Sequence, residues 1–287
     1  MRLIIFFVNF LHPKNWPLLV YFFANGLILF FLEKLLLGYD SFIMVSIYIL
    51  SLIFVTFPFG EIILRKKSKA NPISMLGDGR IEALFSQAYT LAKSKSFFRL
   101  SRRVKLYYSN DSSINACALG SKTMIINLGI LSLRDDEIIS IFLHEFSHLI
   151  QQDSYRNVSF RLGNLVLFGI FSIIKLFLYL VLYMIAFIIN IFARSITGHS
   201  AEFKEFIDIV MDLIDNIFKL WNVCGILISC FTLRISEYKA DKFAKDLGYG
   251  SPLADILTSS QNHIDDYMNV AFLTHPTPNK RVVKLLS

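Results

Sequence analysis

Apolar residues are not spread evenly along this chain; they gather into long runs. Pro17 to Leu37 is a run long enough to cross a bilayer as a helix, and Ser41 to Gly60 is a second, separated from the first by a very short turn. Gly163 to Ala193 forms a third and Leu213 to Leu233 a fourth. A shorter run, LIIFFVNFL at 3–11, cannot span; Arg2 precedes it, but HPKNWP rather than a small-residue cleavage site follows, so it reads as an interfacial anchor. Between these runs the pattern changes period. IEALFSQAYTLAKSK at 81–95 repeats its apolar positions as an amphipathic helix. VKLYYS (104–109), NACAL (115–119) and TMIINL (123–128) read as short strands, and the LGSK between the last two predicts a hairpin. DDEIISIFLHEFSHLIQQD at 135–153 predicts a helix with three acids in its first turn, where the helix dipole favours them. ISEYKADKFAKDL continues a further helix from Arg234 to Leu247, closed by Gly248.

Composition agrees with a chain made largely of spans. Hydrophobic residues make up 54% and charged residues only 18%, below what a soluble domain of 287 residues carries. The fold class expected is α+β, mainly helical: a polytopic membrane protein with about four transmembrane helices and a small β-sheet in its soluble part. The expected organisation is 1–60 for the anchor and two spans, 61–160 for one soluble half, 161–233 for two more spans, and 234–287 for the other soluble half.

Charge orients it. Residues 61–110 hold eleven Lys and Arg against three Asp and Glu, and RKKSK (Arg65 to Lys69) directly follows the second run. Such a cluster marks the cytoplasmic side. Four spans then return the chain to the cytoplasm at Arg234. Lys175 falls inside the third run, which requires the helix to begin outside the bilayer or the side chain to snorkel. No basic stripe interleaved with aromatics is present, so no nucleic-acid partner is expected. Cys117, Cys224 and Cys230 have neither metal nor redox spacing and fit a reducing compartment.

The chemistry lies in HEFSH, His144 to His148. Histidines at i and i+4 stand one turn apart on one helix face and can bind one zinc ion together. Glu145 is rotated about 100° from His144, toward an attacking water rather than the metal. Ile138, Ile139, Phe142, Leu143, Phe146, Leu149 and Ile150 form the side expected to be buried. The polar ends of this helix exclude an intramembrane position. A catalytic zinc site needs a third protein ligand and an open position. Glu237 in ISEYKAD is the candidate, with Asp241 one turn on to accept an N–H from a ligand histidine. By itself this pair reads as a wetted face, because Lys239, Lys242 and Lys245 show that the helix has an exposed side. With HEFSH on the same side of the membrane, a ligand role is the better reading. His12, His199 and His263 have no partner spacing.

HEFSH, two apolar spans, SEYKAD and then THPTPNKRV resemble the HtpX family of membrane zinc metallopeptidases, kin to the type I CAAX prenyl proteases. The motif-bearing resemblance covers 110–160 and 233–283. It implies a zincin-like cytoplasmic domain, with His144, His148 and Glu237 as Zn2+ ligands and Glu145 as general base. It makes Ile114 to Gly120 an active-site edge strand, with Asn115 and Ala116 at the cleft, where substrate backbone adds as a strand. It places His275 and Arg281 near the cleft, His275 to steady an oxyanion. Asn279 and Lys280 depart from the acidic pair common before that arginine, and Cys117 and Leu119 depart within the edge strand. The implied activity is cleavage of membrane-protein or peptide substrates at the cytoplasmic face of a bacterial inner membrane, in membrane-protein quality control. Two alternatives stay open: processing of one defined substrate, or a non-catalytic membrane scaffold with a structural zinc site.

Overall fold

A computed structural model describes residues 15–56, 58–95, 104–120, 122–197, 203–261 and 276–287. The interfacial run at 3–11, His12, His199, His263 and His275 fall outside them. The described chain divides into two compact units, one of 1–163 with 227–287, the other of 164–226.

The first unit opens with helix α1, Trp16–Leu37. Its buried stripe is Leu18, Tyr21, Phe22, Asn25, Leu29 and Glu33, the spacing of one helix face, while Val20, Phe23 and Phe31 stay exposed for lipid. Helix α2, Ile43–Thr56, returns alongside it. Two buried polar contacts hold this hairpin, and the run of apolar residues hid both. Asn25 Nδ2 donates to the Tyr48 hydroxyl at 2.8 Å. The Glu33 carboxylate accepts from the backbone N–H of Ile43 and of Met44, both at 3.1 Å, and from Ser41 Oγ. It therefore caps the N-terminus of α2, where unpaired N–H groups and the helix dipole both favour a carboxylate.

The second predicted span is not one straight helix. At 14 residues α2 is about 21 Å long, short of a ~30 Å hydrocarbon core. Helix α3, Pro58–Lys67, follows at a bend of 73°. Pro58 opens α3, because its missing N–H is tolerated at the start of a helix and nowhere inside one. Among the described residues, three helices are thus long and apolar enough to cross a membrane, or four if the bent pair counts as one span.

The sheet has the order β1-β2-β4-β3, with β1 Asn71–Pro72, β2 Lys105–Ser109, β3 Ala116–Leu119 and β4 Thr123–Asn127. β2 and β4 are parallel; β1 pairs with β2 and β3 with β4 antiparallel. Alternation along the strands sorts the side chains. Leu106, Ala118, Met124 and Ile126 join the main core, and Tyr107, Leu119 and Ile125 join a smaller cluster with Leu64 of α3. Arg65 of α3 adds a 2.7 Å hydrogen bond to the Tyr107 hydroxyl.

The main core is built around helix α5, Asp135–Gln151, whose apolar face meets Ile81, Leu84 and Ala88 of helix α4, Gly79–Lys95. Phe85 lies edge-on to Phe142 at 5.4 Å and tilted to Phe146 at 5.3 Å. Glu137 accepts the Arg134 N–H at 2.8 Å and closes the first turn of α5. Gln152, at φ 60°, ends α5 in the left-handed conformation, and helix α6, Asp153–Thr197, starts in a new direction. Helix α7 runs unbroken over Lys204–Asp246, because its sequence contains one glycine and no proline. The helix expected from Arg234 is therefore the end of this longer one. Helices α8, Gly250–Gln261, and α9, Pro278–Leu286, close the core through Leu253, Ala254 and Leu285.

The second unit is formed by parts of α6 and α7. Lys175, the lysine inside the third apolar run, ion-pairs with Asp215 at 2.6 Å, and Phe171 meets Phe218 edge-on at 3.8 Å. Lys175 is thus partnered by an acid of the neighbouring helix rather than reaching out of the run by itself.

The β3–β4 turn is clamped from two sides. Thr123 Oγ1 donates to Glu61 Oε2 at 3.0 Å, and Ser154 Oγ donates to the Gly120 carbonyl. Gly120 has φ +56°, and a Cβ there would fall onto the Glu61 side chain. Gly120→Ala is therefore expected to cost about 1–3 kcal/mol, from left-handed strain and from displacing Glu61 off Thr123. Thermal unfolding of the detergent-solubilised chain checks this, and an unchanged midpoint contradicts the clamp.

Candidate active site

HEFSH lies in the third and fourth turns of α5, and ISEYKAD near the C-terminal end of α7. Helical spacing alone puts His144 and His148 one above the other, and Glu237 and Asp241 likewise. Packing of α7 against α5 then brings the two pairs together. His144, Glu145, His148, Glu237, Asp241 and Arg281 are all buried.

Donor atoms of three residues lie close together. His144 Nε2 and His148 Nε2 are 3.2 Å apart, Glu237 Oε2 is 3.5 Å from the first, and Glu237 Oε1 is 3.4 Å from the second. Nitrogen and oxygen ligands at 2.0–2.2 Å from a tetrahedral zinc ion lie about 3.3–3.6 Å from one another. The two imidazole nitrogens stand at about that separation, and each faces a different oxygen of the Glu237 carboxylate at a comparable distance. Donor atoms of His144, Glu145 and His148 also lie within 4.8 Å of one another. Within that grouping, Glu145 Oε2 already accepts the Ala118 N–H at 2.7 Å. Glu237 presents one oxygen to each histidine, whereas one oxygen of Glu145 is committed to β3.

Each histidine has a carboxylate behind it. Asp241 Oδ1 is 3.0 Å from His144 Nδ1, so the imidazole can turn Nε2 to the metal side. Asp153 Oδ2 lies 3.9 Å from His148 Nδ1, beyond hydrogen-bond length but close enough for charge to act. Asp153 was not singled out from the sequence, where QQD reads only as a polar helix end. The left-handed Gln152 swings it behind His148; a carboxylate just past a ligand helix was the available signal.

Arg281 of α9 forks onto Asp241, with Nε to Oδ2 at 2.8 Å and Nη2 to Oδ1 at 2.6 Å. Its Nη1 is 3.2 Å from Glu237 Oε2. Burial weakens an arginine's hold on its proton, but here the carboxylates outweigh it and hold Arg281 charged. Burial also opposes ionisation of Asp241, and the two hydrogen bonds from Arg281, with His144 close by, overcome that and keep its carboxyl below the ordinary range. Both histidines follow the same contest: burial pushes them down, yet the facing carboxylates win. His144 is raised, through Asp241 and Glu237, and His148 is raised to about 10, through Asp153 and Glu237.

β3 is the edge of the sheet. Asn115 accepts the Asn127 N–H at 2.9 Å, and Cys117 is opposite Ile125, so alternate residues of β3 turn their backbone groups to β4. Ala116 and Ala118 turn theirs outward, and the Ala118 N–H meets Glu145. Ala116 is half-buried and Asn115 exposed beside it.

A membrane-associated fold with an HExxH helix and a carboxylate from a second helix describes a class of membrane peptidases, and the comparisons with known proteins agree. The sequence profile of Peptidase family M48 matches residues 78–287, and the chain belongs to that family. Its fold resembles the crystal structure of Ste24p from S. mikatae, with a TM-score of 0.50 at 22% identity over 95% of this chain. The match spans 64% of the length of that Ste24p chain. No curated protein matches the sequence.

Proposed function

We propose that this protein is a membrane zinc endopeptidase whose active site faces the cytoplasm. The observation that carries the reading is the cluster of His144, His148 and Glu237 with Glu145 next to it, outside the ligand set and tied to an open strand edge. His144, His148 and Glu237 would hold the zinc ion, which when bound supplies a Lewis acid for the scissile carbonyl and lowers the pKa of water. Asp241 backs the His144 imidazole, Asp153 adds negative charge behind His148, and Arg281 positions Asp241 and Glu237; with its guanidinium committed to those carboxylates, Arg281 acts through them. Substrate backbone adds to β3 at Ala116, beside Asn115. Glu145 accepts a proton from the attacking water and returns it to the leaving amine, its orientation fixed by the Ala118 N–H. The family resemblance adds His275 as a partner for the oxyanion. Basic Arg65 to Lys69, at the end of α3, supports the cytoplasmic orientation of 61–160 and 234–287. The substrates are membrane proteins with exposed cytoplasmic segments, in quality control.

The test is cleavage of an unfolded protein by the detergent-solubilised chain. Chelation should stop cleavage and zinc should restore it. A preparation carrying one zinc per chain that cleaves nothing overturns the reading.

Zinc uptake is also expected to expel protons. With His148 raised to about 10, the metal-free site holds a proton there at neutral pH, and a ligand nitrogen must lose it to bind. Apparent zinc affinity should therefore rise with pH, about tenfold per unit for each proton displaced. Competition with a chromophoric chelator at three pH values between 6 and 8 measures this; a flat affinity contradicts it.

A further inference from the structure

A second site lies on the outer side of α7, behind the metal-binding face. There a groove of about 470 Å³ is lined by Ile235, Tyr238, Lys239, Lys242, Lys245 and Lys284, together with Asp241 and Asp246. Both acids are already neutralised: Asp241 by Arg281, and Asp246 by Lys95 at 3.0 Å. Among the described residues, none of the four lysines pairs with a carboxylate. Lys284 Nζ sits 3.6 Å over the Tyr238 ring, and Lys245 Nζ donates to the Lys284 carbonyl at 3.3 Å. The groove is thus a concentration of uncompensated positive charge with an aromatic wall.

Its place along α7 says what would fill it. The helix leaves its apolar stretch at Arg234, and beyond exposed Leu227 and Ile235 it presents Tyr238, Lys239 and Lys242, all within two turns of Ile235. Apolar residues, then an aromatic, then lysines is the order in which a helix passes from hydrocarbon to headgroups. A soluble anion would use the lysines alone; a lipid would use the lysines for its phosphate and Ile235 and the Tyr238 ring beside its glycerol and upper chains. We infer that this groove binds the headgroup of an anionic phospholipid from the bilayer that α7 leaves. The bound lipid also steadies α9, the helix that carries Arg281 onto Asp241.

The inference is independent of proteolysis and is read from bound lipid. The full chain is extracted in mild detergent, given phosphatidylglycerol or phosphatidylcholine, and examined by native mass spectrometry. Wild type should retain phosphatidylglycerol in preference to phosphatidylcholine. The K239Q/K242Q/K284Q variant should retain it about tenfold less or lower still, and K239R/K242R/K284R should retain it as wild type does. K105Q, at an exposed lysine on β2, should change nothing. Should the triple variant fail to fold, Lys242→Gln alone, at an exposed position, should still give a several-fold loss. Equal retention of both lipids, retention unaffected by the glutamine variants, or displacement of the lipid by inorganic phosphate at matched concentration each overturns the proposal, the last in favour of a free-phosphate site.

Discussion

Glu145→Gln is expected to leave the zinc content of the purified chain intact while cutting its proteolytic rate by about 10²–10⁴-fold. The substitution keeps the size of the side chain, and a glutamine oxygen can still accept the Ala118 N–H that Glu145 Oε2 accepts now. What it removes is a group able to take a proton from water. In the proposed site His144, His148 and Glu237 hold the metal, their donor atoms facing one another at 3.2–3.5 Å, so losing the Glu145 charge should leave metal binding unchanged. Metal analysis together with single-turnover cleavage separates the two effects. If zinc falls along with the rate, Glu145 is a ligand and the assignment of Glu237 is wrong. If neither changes, the chain cleaves by another group or the activity is a contaminant's.

Asp241→Ala has the larger expected effect on the fold. It strips the forked partner from a buried Arg281 and the oriented acceptor from His144 in one step. Removing one side of a buried ion pair costs about 3–5 kcal/mol, toward the low end here because Glu237 still faces Arg281 Nη1. Loss of the carboxylate behind a ligand histidine lowers metal affinity about 10–100-fold. The two losses can be told apart. Adding Arg281→Met to Asp241→Ala removes the orphaned charge and should recover most of the stability, yet zinc affinity should stay low because His144 still lacks its acceptor. Thermal midpoints and zinc affinities of the two single variants and the double variant test this. A double variant that recovers both quantities would reduce Asp241 to a partner for Arg281 alone.

Much of the site was legible from local spacing. An α-helix repeats every 3.6 residues, so HEFSH must present two imidazoles on one face and Glu145 off it, and ISEYKAD must stack Glu237 and Asp241, wherever the helices go. Apolar runs likewise identified α1 and the long helices α6 and α7, because burial in lipid demands an unbroken length of such residues. Where local signals competed, the sequence reading slipped. The run from Ser41 to Gly60 looks continuous in hydropathy, but Pro58 can only begin a helix, and the span bends there. Arg234 to Leu247 looks like a new helix because its polarity changes, although no breaker interrupts α7.

The sequence by itself determined the chemical types and their local phase: two histidines, a candidate base, a candidate third ligand, and the apolar runs that separate them. Only the tertiary structure decided which distant groups meet. Arg281 lies 40 residues beyond Asp241, yet α9 lays its guanidinium across that carboxylate. Gln152 turns the chain so that Asp153 backs His148, Glu33 of one helix caps the next, and Lys175 finds Asp215. The reason is common to all four. Periodicity follows from backbone geometry within a few residues and is written in order along the chain. A pairing between elements depends on where their buried faces come to rest, and a charged residue in isolation looks the same whether it meets water or a partner.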